Sequence, residues 1–224
     1  SVRLFERIGR KMCLTQAGQA ILPDVEMILQ TMEKLRWTSK DRDALSGQLR
    51  VVMPESFLCY CLQPVLRKFH ELAPKVLLSL RTDTGYGIHR SVLTGEADLG
   101  VDYQIRGVSE NLRITPLASY GLVLVCAPQF PRDQRDFITP GQKKAVSVLV
   151  SSPDNLYRRM FEQYLERREI SLCHTMELWS IEARKKSVVS NLGVACLPRF
   201  VVEEELNAGT LEEIPLAMEQ TVIT

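Results

Sequence analysis

The sequence lacks most of the marks of an enzyme or a membrane protein. Three histidines occur, His70, His89 and His174, and none stands at a metal-ligand spacing from a cysteine or another histidine. No G-x-S-x-G, P-loop or G-x-G-x-x-G run is present, so the nucleophile elbow, the triphosphate loop and the dinucleotide fingerprint each lack their starting motif. No catalytic activity, cofactor or metal is therefore expected. No apolar run is long enough to span a bilayer, and no membrane partner is expected. The six cysteines (Cys13, Cys59, Cys61, Cys126, Cys173, Cys196) are irregularly spaced and include no C-x-x-C pair. A chain that is 45% hydrophobic builds a core without disulfides, so they read as reduced thiols in a cytoplasmic protein. Charge of one sign is missing too. Lys and Arg number 28 against 27 Asp and Glu, so any nucleic-acid footprint must be local.

Such a footprint opens the chain. In RLFERIGRKMCLTQAG the basic residues Arg3, Arg7, Arg10 and Lys11 cluster, and Gly9 permits a tight turn. Phe5 to Leu14 reads as a small hairpin with a basic tip. Thr15 suits the N-cap of a helix running to about Arg42. Along that helix Leu14, Gly18, Ile21, Val25, Ile28, Met32 and Leu35 recur at alternating steps of four and three, a seam that pairs one helix with another. Pro23 inside it predicts a kink or an opened turn. DRDALSG, Asp41 to Gly47, reads as a linker.

Beyond Gly47 the pattern changes to alternating strands and helices. Strands are expected at Leu49–Met53, Val76–Leu80 and Ala97–Val101, with helices at Phe57–Leu72 and Ile88–Gly95 between them. The theme repeats with strands at Leu122–Ala127, Val146–Val150, Met176–Trp179, Gly193–Leu197 and Leu211–Leu216. Helices at Asn155–Arg167, Ile181–Asn191 and Phe200–Leu206 separate them. This alternation argues for a mostly parallel sheet with helices on its faces. Two α/β lobes in sequence, with Pro116 near their junction, imply a cleft.

These segments together resemble the LysR-type transcription regulators. Leu4, Phe5, Arg7, Arg10, Leu14, Thr15, Ala17 and Gly18 fill the family's L-F-x-R-x-x-R-x-x-x-L-T-x-A-G wing pattern. GQLRVV (Gly47 to Val52), LQPVLRKFHELAPKV (Leu62 to Val76), GEADLGV (Gly95 to Val101) and VVSNLGVACLP (Val188 to Pro198) follow in the family's order, with Asn191 replacing a usual glycine. The resemblance implies an α/β, two-lobed, periplasmic-binding-protein-like effector domain, preceded by a winged-helix remnant and a long linker helix. It divides the chain into 1–14 (wing remnant), 15–46 (linker and dimerisation helix), 47–115 with 217–224 (first lobe) and 116–216 (second lobe). The sequence opens without Met, and the expectation is of a fragment lacking most of the helix-turn-helix and the end of the first lobe. The implied partners are promoter DNA, a small-molecule effector, and further copies of the chain in a homodimer or homotetramer, with dimerisation through Ile21, Val25, Ile28, Met32 and Leu35.

Candidate site residues follow. Arg3, Arg7, Arg10 and Lys11 are placed for phosphate contact, which positions a protein without reading sequence. Ligands of open α/β sheets bind outside the carboxyl ends of the strands, beside helix N-termini that suit anions. Those ends carry Pro54, Glu55 and Ser56, then Thr82, Asp83 and Thr84, then Asp102 and Tyr103, and in the second lobe Ser151 and Ser152. The serines serve equally well as helix caps, and Asp83 and Thr84 as turn formers. Glu55 and Asp102 would repel a simple dicarboxylate, which points to a zwitterion or a polar neutral effector. Two alternatives stand beside this reading: a free two-lobed solute-binding protein, and a redox sensor using Cys59 and Cys61. The second would require an accessible thiol of low pKa.

Overall fold

The computed structural model describes residues 2–9, 11–38, 45–103, 112–218 and 222–223. The chain divides into two compact units, residues 1–47 with 73–76, and residues 48–72 with 77–224. In the first, β1 (Phe5–Ile8) and β2 (Lys11–Leu14) form an antiparallel hairpin with Phe5 opposite Leu14 and Ile8 opposite Lys11. Gly9 turns it at φ 64°, a conformation that costs glycine nothing. Helix α1 (Gln16–Thr38) follows. Thr15 caps it: its Oγ1 accepts the Gly18 N–H at 3.1 Å and donates to the Arg3 carbonyl at 2.7 Å. A Cβ on Gly18 would run into the Leu4 carbonyl oxygen. Gly18 therefore serves the contact with the hairpin strand and does not belong to an open seam. The helix also passes through Pro23 without a break, against the expectation of an opened turn. The missing N–H costs one intrahelical bond, which 23 residues of continuous helix absorb. The expected end near Arg42 lies outside the described residues.

The second unit carries both lobes. β3 (Ser46–Met53), α2 (Glu55–Tyr60), α3 (Gln63–Leu72), β4 (Lys75–Thr82), α4 (Gly85–Leu93) and β5 (Leu99–Gly100) make the first. Its sheet has the order β4-β3-β5, and β5 runs parallel to β3, with Val51 opposite Leu99. β3 starts at Ser46, three residues before the expected Leu49, and absorbs the end of the anticipated linker. The single helix expected over Phe57–Leu72 is two helices broken at Cys61 and Leu62. Pro64 explains the break, because its ring would clash with the carbonyl four residues back, at Tyr60.

The second lobe holds β6 (Tyr120–Cys126), β7 (Lys143–Val150), α5 (Leu156–Arg167), β8 (Ser171–Glu177), α6 (Ile181–Val189), β9 (Ala195–Pro198), α7 (Arg199–Asn207) and β10 (Glu212–Ile214), and β11 (Val222–Ile223), in the segment expected to return to the first lobe, pairs with the start of β6. The strand expected at Met176–Trp179 ends at Glu177, leaving Trp179 exposed. Here the mostly parallel expectation fails. β7 and β8 are parallel, but β6 is antiparallel to each of its partners β9, β10 and β11. The run LVLVCA is buried throughout, and a strand covered on both faces reads the same whichever way its neighbours run. The main core lies here, around Leu124, Phe137, Leu149, Phe161, Val188, Leu197 and Ile214. The first lobe contributes a small cluster of Val52, Ile88 and Ala97. Phe57 and Tyr103 join the main core instead. Their ring centroids are 4.4 Å apart, Phe57 lies 5.9 Å from Phe200, and Tyr103 meets Tyr157 edge-on at 5.9 Å.

Candidate functional site

The carboxyl ends of the first-lobe strands are held level by backbone bonds, Asp83 N–H to Met53 O and Val101 N–H to Val52 O, each at 3.0 Å. They deliver Pro54, Thr84, Asp102 and Tyr103 to one wall of a cleft of about 630 Å³. The turn after β7 supplies the other wall, Pro153 to Leu156, and α5 adds Arg159, Met160 and Gln163. At Gly85 the walls come near each other: a Cβ there would lie 3.7 Å from the Asp154 carbonyl oxygen. Two helices open onto the cavity by their N-termini. Asn155 caps α5 by accepting the Arg158 N–H at 3.1 Å, whereas Thr84 at the head of α4 makes no side-chain cap. Free N–H groups and the positive ends of both helix dipoles favour an acidic group.

Of the ten residues expected around the effector, four line this cavity. The other six are placed differently. Glu55 reaches from the first lobe to the head of α6, where one oxygen accepts the Ser180 hydroxyl at 3.0 Å and the other the Ile181 N–H at 2.7 Å. Ser56 is buried and shares a 2.5 Å hydrogen bond with the Tyr103 hydroxyl, and it caps no helix, since Pro54 holds the N-cap position of α2. Thr82 is exposed, and Asp83 accepts the Thr84 N–H at 2.8 Å, the turn-forming role. Ser151 and Ser152 do not cap α5 either. Both are buried, and neither hydroxyl has a partner among the described residues.

Sequence reasoning missed Tyr86, His89 and Arg159. The rule that selected Thr84 reaches Tyr86 and His89, which lie in the first turns of the helix it begins. Arg159 stands in a helix with four other charged residues, and only the fold selects which of them faces the cavity. His89 Nε2 lies 3.3 Å from Asp102 Oδ2 at an angle that makes no hydrogen bond, an ion pair only when the imidazole is protonated. Burial pushes the Asp102 carboxyl above the ordinary aspartate range, although the Tyr103 N–H and His89 pull the other way. Burial likewise pushes the Tyr103 phenol up, and it is a neutral hydroxyl at any ordinary pH.

The Asp102 shift has a testable sign. A carboxyl whose folded pKa is raised favours folding below the ordinary aspartate pKa, and that contribution is lost as pH rises through the raised value. Asp102→Asn is therefore expected to melt above the unsubstituted chain at pH 7. The difference should vanish in acid, below about pH 4. Parallel melting curves from pH 4 to pH 7 would show that burial of this carboxylate carries no cost.

Arg3 and Arg7 are exposed on the hairpin, and Arg7 Nε donates to the Gly9 carbonyl at 3.1 Å. Arg10 and the Lys11 side chain lie outside the described residues. Along α1, Ile21, Val25, Ile28 and Met32 present exposed apolar side chains; the Leu35 side chain lies outside the described residues. Both thiols of the C-x-C pair have raised pKa values. Burial is the largest cause at each, with the carboxylates of Glu55 and Glu182 adding to it at Cys59. A redox sensor needs the opposite shift.

Two α/β lobes line a cleft of mixed polar and apolar surface, with strand ends and helix N-termini turned into it, the kind of place where small-ligand sites occur. The LysR substrate binding domain matches residues 42–222. The chain belongs to the LysR family and is a LysR-type transcriptional regulator carrying that domain. Over 224 residues it is 41% identical to the HTH-type transcriptional regulator YfiE of Escherichia coli, covering all of this chain and 75% of that protein. It is 29% identical over 221 residues to a probable RuBisCO transcriptional regulator of Nostoc, covering 96% of this chain and 66% of that one. Among solved structures, a full-length OxyR variant of Pseudomonas aeruginosa superposes with a TM-score of 0.62 at 21% identity, covering all of this chain and 77% of that one. Full-length BenM gives 0.63 at 14% identity, covering 99% and 74%. Among the described residues no helix is long and apolar enough to cross a membrane.

Proposed function

We propose that this chain senses a small polar acid in the cleft between its lobes and passes the signal to DNA-binding ends paired through α1. The observation that carries this reading is the lining of the cavity. The N-termini of α4 and α5 and the Arg159 guanidinium suit an acidic group, while Asp102 and Asp154 suit a hydroxyl or amine on the same molecule. A zwitterion or a hydroxy acid satisfies both. Glu55, engaged at the head of α6, leaves Asp102 as the acceptor from the pair that first suggested this class.

The exposed row Ile21, Val25, Ile28 and Met32 is read as the surface that pairs with a second copy, giving a homodimer or homotetramer. Arg3, Arg7, Arg10 and Lys11 are read as phosphate contacts with promoter DNA. The division into wing, linker helix and two lobes serves this mechanism. A ligand that prefers one arrangement of the lobes shifts the population toward it. Neither the solute-binding alternative nor the redox alternative draws support from these features. A basic hairpin and a pairing helix serve no solute carrier, and the C-x-C thiols are shifted the wrong way.

A thermal-shift screen of the chain against amino acids, organic acids, aromatic acids and sugars tests the reading. A saturating effector at 100 times its Kd raises stability by about 2.7 kcal/mol. Arg159→Ala should weaken that effector about tenfold, the loss of one charge-assisted hydrogen bond. An effector whose shift is untouched both by Arg159→Ala and by a bulky side chain at Gly85 would place binding outside this cleft.

A further inference from the structure

One buried cation is left unexplained by the fold. Arg184, on α6, is 3% exposed. Its Nη2 donates to the Tyr157 hydroxyl at 2.9 Å, and its guanidinium carbon sits 5.4 Å from the centre of that ring. Nothing else among the described residues compensates it. Nε has no hydrogen-bond partner, and no carboxylate stands within ion-pair distance. The neighbouring acid is the Cys196 thiol, which burial pushes up to about 12 and keeps neutral. Arginine cannot escape by losing its proton, and it brings five N–H donors, of which one is used here. The next residue shows the usual solution. Lys185, also buried, is matched by Glu205 at 2.8 Å and Glu182 at 3.3 Å.

The unmatched charge lies behind the cleft wall. Tyr157 follows Leu156, which lines the cavity, and its ring meets that of Tyr103, which lines it as well. Helix α6 packs on β7, and at the end of β7 stand Ser151 and Ser152, 3% and 4% exposed, with both hydroxyls unpartnered. Arg184 Nε and the two serine hydroxyls are thus buried without partners among the described residues; none of the three residues lines the cavity itself, but they stand on elements next to Asn155, Leu156 and Tyr103, which do. An unpaired buried charge and unsatisfied buried hydroxyls each cost free energy unless a partner arrives.

We propose that Arg184, with the Ser151 and Ser152 hydroxyls, forms the inner anion-binding end of the effector site and receives an oxyanion of the ligand. This inference rests on the cleft reading given above and deepens it. The effector is then an acid whose carboxylate, or a sulfonate or phosphate in its place, enters to Arg184, while Arg159 stands nearer the exposed side. The Tyr157 hydroxyl, already accepting from Arg184, keeps its own proton free to donate to the same group.

The probes are acetate, sulfate and phosphate, titrated at constant ionic strength against the chain, its Arg184→Met, Arg184→Lys and Arg159→Ala variants, with melting temperature as the readout. The unsubstituted chain is expected to show a saturable rise with at least one of them. Arg184→Met should abolish that rise and melt higher without anion, because a neutral side chain of similar length removes the unmatched charge. Arg184→Lys, which keeps the charge but loses the planar fork, should respond with roughly tenfold weaker affinity. If Arg184→Met does not fold, an unweakened response of Arg184→Lys overturns the proposal. A response to anion in Arg184→Met equal to that of the unsubstituted chain also overturns it. If Arg159→Ala alone loses the response, acid recognition stays in the cleft and Arg184 is removed from it. No saturable response in the unsubstituted chain overturns the Arg184 assignment. A neutral hit in the effector screen would then leave the cleft reading standing, whereas silence in both experiments takes that reading down as well.

Discussion

Gly193→Ala is expected to be among the most damaging single substitutions in this chain. Gly193 sits at φ 154° between the turn after α6 and β9, and a Cβ there would run into the Ser147 carbonyl oxygen. That carbonyl is already in use, since it accepts the Val194 N–H at 3.0 Å, while the Leu149 N–H donates to the Val194 carbonyl at 2.8 Å. This reciprocal pair ties β7 to the segment entering β9, and so joins the parallel and antiparallel halves of the second lobe. Relieving the clash means moving the backbone and giving up those bonds. The surroundings offer no slack, because Val148, Leu149, Val194 and Ala195 are all buried. The loss should be on the order of 3 kcal/mol or more, combining backbone strain with broken buried hydrogen bonds. In a chain of this size that lowers the melting temperature by roughly 6–12 °C. Calorimetry of the purified variant checks it, and a shift below about 2 °C would show that the strand can move aside more freely than its packing allows.

The second large effect concerns Glu55. This carboxylate is on the first lobe, yet both its oxygens serve the head of a second-lobe helix. Ile181 is almost fully buried, so its N–H has no water to turn to once the acceptor is removed. Charge-assisted bonds of this kind contribute about 1.5–3 kcal/mol each, and an orphaned donor adds its own desolvation cost. Glu55→Ala should therefore lose about 2–4 kcal/mol in urea unfolding, and Glu55→Gln roughly half of that. Hydrogen exchange at Ile181 should quicken in both. Its effector affinity should also fall, since a ligand that selects the closed arrangement binds in proportion to the closed fraction. Unfolding curves within 0.5 kcal/mol of each other, with unchanged exchange at Ile181, would mean that Glu55 is a passive neighbour.

The elements that packing dictates were plain in the sequence. The apolar runs at Val51–Met53, Leu122–Ala127 and Val146–Val150 form buried strand segments because nothing but a core accepts them. Thr15 caps α1 through its hydroxyl, as its place before the helix implied. Strand direction was not legible, because β6 is apolar on both faces and carries no trace of which partner it meets or how. The helix break at Cys61 was visible only if Pro64 is given more weight than the apolar periodicity running through it. For the site, the rule that ligands gather at strand ends found the right turns but not the right side chains. Pro54, Thr84, Asp102 and Tyr103 face the cavity, whereas Glu55 and Ser56, adjacent to Pro54, are committed to the second lobe and the core. The burial of Arg184 was the least legible. A basic residue in IEARKKSVV looks like one more solvated charge until the fold buries it.

The start of β6 has a mechanical meaning. Tyr120 and Gly121 are paired antiparallel with Ile223 and Val222, so where the chain enters the second lobe it is a two-stranded ribbon and not a single tether. A single extended segment swivels and slides in any direction. A hydrogen-bonded ribbon bends across its flat face and twists about its length, but in-plane shear would shift one strand past the other and break the ladder. Were a ligand to draw the lobes together, a ribbon at this point would favour a rotation of defined axis over free sliding.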